Sequence, residues 1–361
     1  MDLSQQLEQL ESARDWQGLA EALEQAIENE TDDTKKSVLY LKLGRVMTTK
    51  LLQGPRALRH FQTAWKLQPQ IVEPLVEARD IYWELGKFKM VATVLQRSLE
   101  SAEGNTRSEL LCELGDVLCD LGNYDAALEA YAEGLRGGDE SQERARGCLE
   151  DLSIDADAAD ARIDGLIEEA AAMDGAGGCR LLLRAARLAK RHGLERYEDL
   201  LREAYRADCN NSQACALFEE HLVADGRLAQ VLETQREMLE SATPEVGPGL
   251  AFRYGVRWAT RHQNVELGAR LLEQAILGDA TNDAAFTFLR ELWGTHEGDW
   301  EKVVGLAEQM TELGEVPAYV AAEAGSASWR HLGDLMRARR WFERVAALVP
   351  DHPTVALFEA Q

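Results

Sequence analysis

The fold is decided by one stretch, SELLCELGDVLCDLGNYDAALEAYAEGLRGGD, which runs from Ser108 to Asp139. Its first half has apolar residues at helical spacing and ends in LGNY, where Gly122 supplies the left-handed conformation that stops a helix. Its second half repeats the helical spacing after Tyr124. The stretch therefore predicts two helices joined by a tight turn.

The same turn signal recurs along the whole chain. Glycines that follow one apolar helical stretch and precede another are Gly86, Gly122, Gly193, Gly226, Gly298 and Gly333. Their spacings of 36, 71, 33, 72 and 35 residues give a period near 35 with two glycines missing. A period of this length is typical of stacked helix-turn-helix units.

The unit at 108–139 resembles the tetratricopeptide repeat (TPR). The matching residues are Leu114–Gly115, Gly122–Tyr124, Ala127 and Tyr131, while Gly134 and Asp139 replace the usual Ala and Pro. Good copies begin at Ser37 (Leu43–Gly44, Ala57, Phe61, Ala64, Pro69) and at Tyr319 (Gly333, Ala338, Phe342, Pro350). Weaker copies begin near Val72, Cys179, Ser212, Gly249 and Asp283. The resemblance covers essentially the whole chain.

The resemblance implies an all-α fold, namely a right-handed superhelical α-solenoid of about nine helix-turn-helix hairpins. It also implies a bacterial-type protein with many repeats. The 30 Arg against 9 Lys are typical of a GC-rich bacterial genome. We expect an opening helical hairpin at 1–33, a TPR-like array with an acidic inner face at 34–140, a degenerate hairpin at 141–176, a TPR-like array with basic inner patches at 177–353, and the start of a further helix at 354–361. The GAGG at 175–178 predicts a local irregularity. The last helix either belongs to a longer array or docks on a partner.

Composition and charge restrict the class of protein. The 361 residues are 45% hydrophobic and 28% charged, which is typical of a chain that folds around a core. With 39 basic and 63 acidic residues the net charge is −24, which works against binding to nucleic acid or anionic membranes. The first thirty residues lack a signal-peptide pattern, and no window is apolar enough to span a bilayer. We therefore expect a cytoplasmic protein with no membrane partner.

Residue patterns for catalysis and for metal binding are absent from the sequence. The six cysteines form no CxxC pair, and 361 residues need no disulfide staples, so we predict reduced thiols. The motifs GxGxxG, GxxxxGK[ST], HExxH and GxSxG do not occur, and the seven histidines are never paired four residues apart. We therefore expect no catalytic residue, no cofactor, no metal site and no enzyme activity.

Charged residues recur in one register of the predicted first helices. Two acidic sets are Glu73, Glu77, Asp80, Glu84 and Glu109, Glu113, Asp116, Asp120. Both follow the spacing i, i+4, i+7, i+11, which puts four carboxylates on one narrow helix face. Two periods later the register holds Arg180, Arg184, Arg187 and Arg191 with Lys190 adjacent, followed by Arg253, Arg257 and Arg261. The sequence therefore predicts an acidic section followed by a basic one.

The resemblance implies that the first helices line a concave groove, so these sets are the candidate partner-binding residues. Trp83 lies next to the acidic stripe and is predicted to be an exposed groove aromatic. An equal alternative is that the charged faces only keep the helices solvated. Like charges four residues apart each cost a few tenths of a kcal/mol, so helix stability alone does not favour the acidic stripes.

The leading hypothesis is a non-catalytic protein-protein interaction scaffold or adaptor. It would hold an extended segment or helix of another protein that has complementary charge. One alternative is an RNA-binding helical-repeat protein, because the pentatricopeptide repeat shares the 35-residue period, although two acidic hairpins disfavour it. Another is a non-catalytic subunit of an enzyme complex. Opposite charges on one molecule leave a homo-oligomer open as well.

Overall fold

The fold was analysed in a computed structural model, which describes residues 3–136, 138–314, 316–350 and 352–360. The described residues form helices and no strand, so the all-α class predicted from the sequence is confirmed. The predicted segments begin at residue 1 and end at residue 361, and both of these ends lie outside the described residues. None of the described helices is both long enough and apolar enough to cross a bilayer.

The helices of the first half are short and evenly spaced. They are α1 (Leu3–Ser12), α2 (Trp16–Asn29), α3 (Asp33–Thr49), α4 (Gly54–Leu67), α5 (Glu73–Glu84), α6 (Phe88–Ser98), α7 (Gly104–Asp120), α8 (Tyr124–Gly134), α9 (Asp139–Ser153) and α10 (Ala156–Ala171). The predicted degenerate hairpin at 141–176 thus falls on α9 and α10.

The second half continues the pattern. Its helices are α11 (Gly175–His192), α12 (Tyr197–Ala207), α13 (Ser212–Ala224), α14 (Leu228–Ser241), α15 (Gly247–Thr260), α16 (Val265–Gly278), α17 (Asp283–Arg290), a π-helical segment (Glu291–His296), α18 (Trp300–Leu313), α19 (Ala318–Arg330), α20 (Leu335–Leu348) and α21 (Pro353–Glu359). In the described part of the chain the helices form ten consecutive pairs followed by α21, one pair more than the predicted count of about nine.

The turn glycines adopt the conformation that the sequence predicts. Gly86, Gly122, Gly193, Gly226, Gly298 and Gly333 all have positive φ, between 64° and 78°. One of the two glycines missing from the period is replaced by Gln263, whose φ is 53°. At the other missing position the chain passes from α9 to α10 through Ile154 and Asp155 in extended backbone, so no left-handed residue is needed.

Close contact within a helix pair depends on glycine opposite an aromatic ring. A Cβ on Gly115 of α7 would lie 2.5 Å from Cε1 of Tyr131 on α8. A Cβ on Gly325 of α19 would likewise lie 2.9 Å from Cε1 of Phe342 on α20. Because any side chain at either glycine would overlap the ring, this pairing sets the distance between the two helices.

The GAGG stretch is a close-packed helix start rather than an irregularity. Asp174 caps α11 by accepting a hydrogen bond from the backbone N–H of Gly177 at 2.7 Å. A Cβ on Gly175 would lie 2.6 Å from the Ala207 carbonyl oxygen, and one on Gly178 would lie 3.0 Å from the Ala170 carbonyl oxygen. The small residues therefore let the start of α11 approach the ends of α10 and α12.

The chain packs as two compact units. Unit 1 contains the described residues of 1–30, 42–56 and 239–361, and unit 2 contains residues 31–41 and the described part of 57–238. A core cluster of unit 1 includes Phe286, Trp341 and Phe342. A core cluster of unit 2 includes Val117 and Tyr131. This division differs from the predicted segments, which follow repeat signature and charge rather than packing.

Replacing Gln263 with glycine is expected to stabilise the protein. A side chain in the left-handed region is strained by about 1–2 kcal/mol, and glycine offsets part of this gain because it loses more entropy on folding. We expect Gln263→Gly to raise the free energy of unfolding by about 0.5–1 kcal/mol in urea titrations. Gln263→Ala keeps the Cβ and should give no gain; a gain equal to that of glycine would contradict this explanation.

Candidate functional site

The predicted acidic residues differ in exposure along their helices. On α5, Glu73 and Asp80 are exposed and Glu77 and Glu84 are half-buried; on α7, Glu109 is exposed, Glu113 is half-buried, and Asp116 and Asp120 are buried. The prediction of two open carboxylate stripes is therefore wrong for the C-terminal half of α7.

Asp116 and Asp120 are buried against an arginine of the predicted basic set. The Arg187 guanidinium on α11 donates to Asp120 through Nε to Oδ1 at 2.8 Å and through Nη2 to Oδ2 at 3.0 Å. Its Nη1 lies 3.2 Å from Asp116 Oδ1. Arg187 itself is only 7% exposed. The acidic and basic sets therefore neutralise each other inside the chain at this point, which corrects the expectation that all of them face a partner.

Further donors complete this buried ion cluster, which we define as Asp116, Asp120 and Arg187. The Tyr131 hydroxyl donates to Asp116 Oδ1 at 2.6 Å, and Arg144 on α9 donates to Asp116 Oδ2. Burial alone would raise the pKa of Asp116, but Arg187, Arg144 and the Tyr131 hydroxyl outweigh it and hold the pKa below the usual range. Asp116 is therefore ionised and fully engaged.

The remaining α11 cations are engaged in different ways. Arg184 is 2.6 Å from Asp151 Oδ2 through Nη2, and Arg162 on α10 is 2.8 Å from Asp151 Oδ1. Lys190 donates to the Asp120 carbonyl oxygen at 2.5 Å, and Arg191 donates to the Leu152 carbonyl. Arg180 is exposed, and within the described part of the chain no ion pair involves it.

The α15 set lies in unit 1, whereas the α5, α7 and α11 sets lie in unit 2. Arg257 is 3% exposed, and Arg253 and Arg261 are half-buried. Arg257 is therefore an interior residue, and the α15 set does not present three open guanidinium groups.

Trp83 is buried and is not an exposed groove aromatic. It is 4% exposed, and its ring centroid lies 5.5 Å from that of Phe88. Its Nε1–H donates to Glu113 Oε1 at 3.3 Å, and Arg79 donates to Glu113 Oε2 at 3.0 Å. Burial raises the pKa of Glu113, although Arg79 and Trp83 oppose this effect. Arg79, which was not among the predicted site residues, thus links α5 to α7 through its hydrogen bond to Glu113.

A cavity of about 850 Å³ in unit 2 is lined by seven of the predicted residues: Trp83, Glu109, Glu113, Asp116, Arg180, Arg184 and Arg187. The walls of this unit-2 cavity come from α5, α7, α9, α10, α11 and the start of α13. Arg184 and Arg187, which form ion pairs with Asp151 and Asp120, line this cavity. Met173 also lines it and is 55% exposed.

Four exposed carboxylates line the same cavity, and one of them, Glu169 on α10, is paired with Arg162 at 3.1 Å. The other three are Glu109 on α7 and Glu140 and Glu143 on α9. In the described ranges no ion pair involves any of the three. We refer to these three as the carboxylate rim. Glu143 and Arg144 lie in the predicted degenerate hairpin and Glu140 directly precedes it; none of the three was among the predicted site residues. The repeat spacing could have identified Arg144 as a residue of the same helix face, because it lies 35 residues after Glu109 and 36 before Arg180.

Cysteines in the cavity wall are not reactive. All six cysteines have free thiols, and Cys112 and Cys148 line the unit-2 cavity. Burial raises the pKa of Cys112 to about 11 and that of Cys148 to about 12. Both thiols therefore stay protonated at neutral pH and act as small apolar side chains.

The helix pairs, their positive-φ turn glycines and the Gly115–Tyr131 contact make the fold TPR-like. No protein-family model and no curated protein matches the chain. Among solved structures, it is similar to the TPR domain of P58(IPK), at 12% identity over 89% of this chain and 96% of that chain, with a TM-score of 0.27.

Two further solved structures are similar over 98% of this chain. The complex of Naa15/Naa10 bound to HypK-THB aligns at 13% identity over 64% of that chain, with a TM-score of 0.29. The APC/C hetero-tetramer Cut9-Hcn1 aligns at 14% identity over 73% of that chain, with a TM-score of 0.30. These likenesses concern the fold alone, so the chemistry of the site follows from the side chains of this chain.

The buried ion cluster should contribute strongly to stability. Asp120→Asn leaves the Arg187 charge buried with one ionic partner fewer, and we expect the free energy of unfolding to fall by about 3 kcal/mol. Glu109→Gln, on the same helix but exposed, should change it by less than about 0.5 kcal/mol. Urea unfolding followed by circular dichroism measures both. Equal unfolding midpoints for the two variants would show that the cluster does not hold α7 to α11.

Proposed function

We propose that this protein is a non-catalytic protein-interaction scaffold that holds a short basic segment of a partner protein in the unit-2 cavity. The observation that carries the proposal is the carboxylate rim. Glu109, Glu140 and Glu143 are exposed and have no ion-pair partner in the described part of the chain, while the deeper arginines are already paired.

The preferred charge of the partner segment follows from the contrast between the exposed carboxylates of the rim and the arginines that are already paired. Buried charges that satisfy one another have little attraction left for a ligand, whereas an exposed carboxylate can exchange water for a cationic side chain. The rim contributes three such carboxylates, and Arg180 is the one exposed cavity cation without an ion pair in the described residues. Lysine or arginine side chains in the partner therefore fit the rim, with room for one carboxylate at Arg180.

The size of the cavity favours a segment over a folded domain. Its volume of about 850 Å³ lies within the range of about 300–1,000 Å³ that is typical of ligand cavities. Met173, with its flexible side chain, and Leu181 provide apolar surface for residues between the basic ones. We propose that the exposed α5 carboxylate Glu73 extends the acidic field beyond the cavity, whereas the exposed Asp80 is paired with Arg79 at 2.8 Å.

Binding of this kind should be modest in affinity and sensitive to salt. Exposed ion pairs contribute about 0.2–1 kcal/mol each and are screened within about 8–10 Å at physiological ionic strength. The net charge of −24 steers a cationic segment toward the protein and raises the association rate. The same charge repels nucleic acid, which argues against the RNA-binding alternative.

A peptide titration tests the proposed function. The probe is a fluorescein-labelled nine-residue peptide with four lysines and two leucines, and the control peptide has glutamines in place of the lysines. We expect fluorescence anisotropy to show binding of the lysine peptide that weakens as NaCl is raised, because the pairs are screened. The triple variant Glu109→Gln, Glu140→Gln, Glu143→Gln should bind about tenfold more weakly, the sum of three exposed pairs.

A matched variant separates the rim from the overall charge. Glu129, Glu150 and Glu168 are exposed carboxylates of unit 2 that do not line the cavity. Changing these three to glutamine alters the net charge equally and should leave the affinity within about twofold. Equal losses in both triple variants, or equal binding of the two peptides, would refute docking at the rim.

A further inference from the structure

A second cavity, of about 860 Å³, lies within unit 1. One wall is the corner between α1 and α2, and the opposite wall is formed by α17, α19 and the start of α21. We call this space the unit-1 cavity. It shares no residue with the unit-2 cavity, so it constitutes an independent candidate site.

An ion-pair cluster holds the two walls in place. Asp283, the first residue of α17, is 5% exposed. Its carboxylate accepts Arg14 Nη1 at 2.6 Å and Lys50 Nζ at 3.0 Å. The Arg14 guanidinium also lies 5.1 Å from the ring centroid of Tyr319 on α19. These contacts join residues 269 positions apart in the sequence and give the cavity a fixed width.

The charged side chains that line this cavity sum to a positive charge. Three arginines (Arg14, Arg290, Arg330) line it against two carboxylates (Asp15, Glu323). Arg14 is paired with Asp283, Arg290 Nη1 lies 3.9 Å from Glu323 Oε2, and Asp15 Oδ1 accepts the Gly18 N–H at 2.9 Å. Asp15 and Arg330 are both exposed, and neither forms an ion pair within the described ranges, so the lining carries one more positive than negative charge. In a chain with a net charge of −24, this is a local reversal of sign.

Neutral groups in the walls suit a peptide better than a phosphate. Gln6 and Gln9 each offer an N–H donor and a carbonyl acceptor, which match the N–H and C=O groups of a peptide backbone, whereas a phosphodiester only accepts. The Gln17 amide already donates to Glu21 Oε1 at 3.1 Å. Trp300 and His331 stack with centroids 3.8 Å apart and planes at 7°, forming a flat aromatic platform.

We propose that the unit-1 cavity binds an acidic segment of a partner protein. A glutamate or aspartate side chain pairs with Arg330, the glutamines hydrogen-bond the segment's backbone, and the Trp300–His331 platform takes an apolar side chain. The protein then carries two docking sites of opposite charge preference, a basic-segment site in unit 2 and an acidic-segment site in unit 1. It serves as an adaptor for two different sequences.

The test uses a fluorescein-labelled nine-residue peptide with four glutamates and two leucines, and the same peptide with glutamines for the glutamates. We expect the glutamate peptide to bind the full chain more tightly. Arg330→Gln should weaken binding about twofold, the loss of one exposed charge pair. Arg339→Gln removes an exposed arginine of α20 outside the cavity and should leave the affinity unchanged.

Three results would overturn the acidic-segment site. They are no measurable binding of the glutamate peptide, equal losses in Arg330→Gln and Arg339→Gln, and displacement of the peptide by a short oligouridylate RNA. The rim variant Glu109→Gln, Glu140→Gln, Glu143→Gln should bind the glutamate peptide as tightly as the unmodified chain does. Failure of the basic-segment site and failure of this site can therefore be told apart.

Discussion

The burial of Arg187 between Asp116 and Asp120 is the constraint on which the candidate site depends. A charged group can be taken out of water only when its partners replace the lost hydration, so burying this arginine requires two ionised aspartates and precise geometry. Tyr131 and Arg144 saturate Asp116, and Gln213 and Lys190 contact Asp120. The cluster fixes α7 against α11 and thereby creates the floor of the unit-2 cavity.

This arrangement changes what the charge pattern means. Regular spacing along the helices produces rows of ionised side chains, but the rows at the two-repeat interval meet and neutralise each other where the helices come together. Binding capacity then belongs to the charges left over at the margins. In unit 2 these are mainly carboxylates, and in unit 1 three arginines and two carboxylates line the cavity. These balances are the basis on which we propose partner segments of opposite charge for the two cavities.

Helix packing supports both sites through small residues. Gly115 and Gly325 let an aromatic ring of the second helix sit against the backbone of the first, and the GAGG start of α11 approaches the ends of two neighbouring helices. Because these contacts are close-packed and leave no void between the helices, the side chains on the adjacent helix faces are held in fixed positions. Tyr131 links helix packing to the buried ion cluster, since its ring packs on Gly115 while its hydroxyl donates to Asp116.

The sequence by itself determined the helical class, the repeat period and the turns, because helical periodicity and left-handed glycines depend on residues close together in the chain. It also determined which helix faces carry charge. Only the tertiary structure decided that Arg187 pairs with Asp120, that Trp83 is buried, and that Glu140 and Glu143 join Glu109 around one cavity. Those outcomes depend on contacts between residues about 30 to 70 positions apart, whose distances no local pattern specifies. The Arg14–Asp283 pair is the extreme case, because it spans 269 positions.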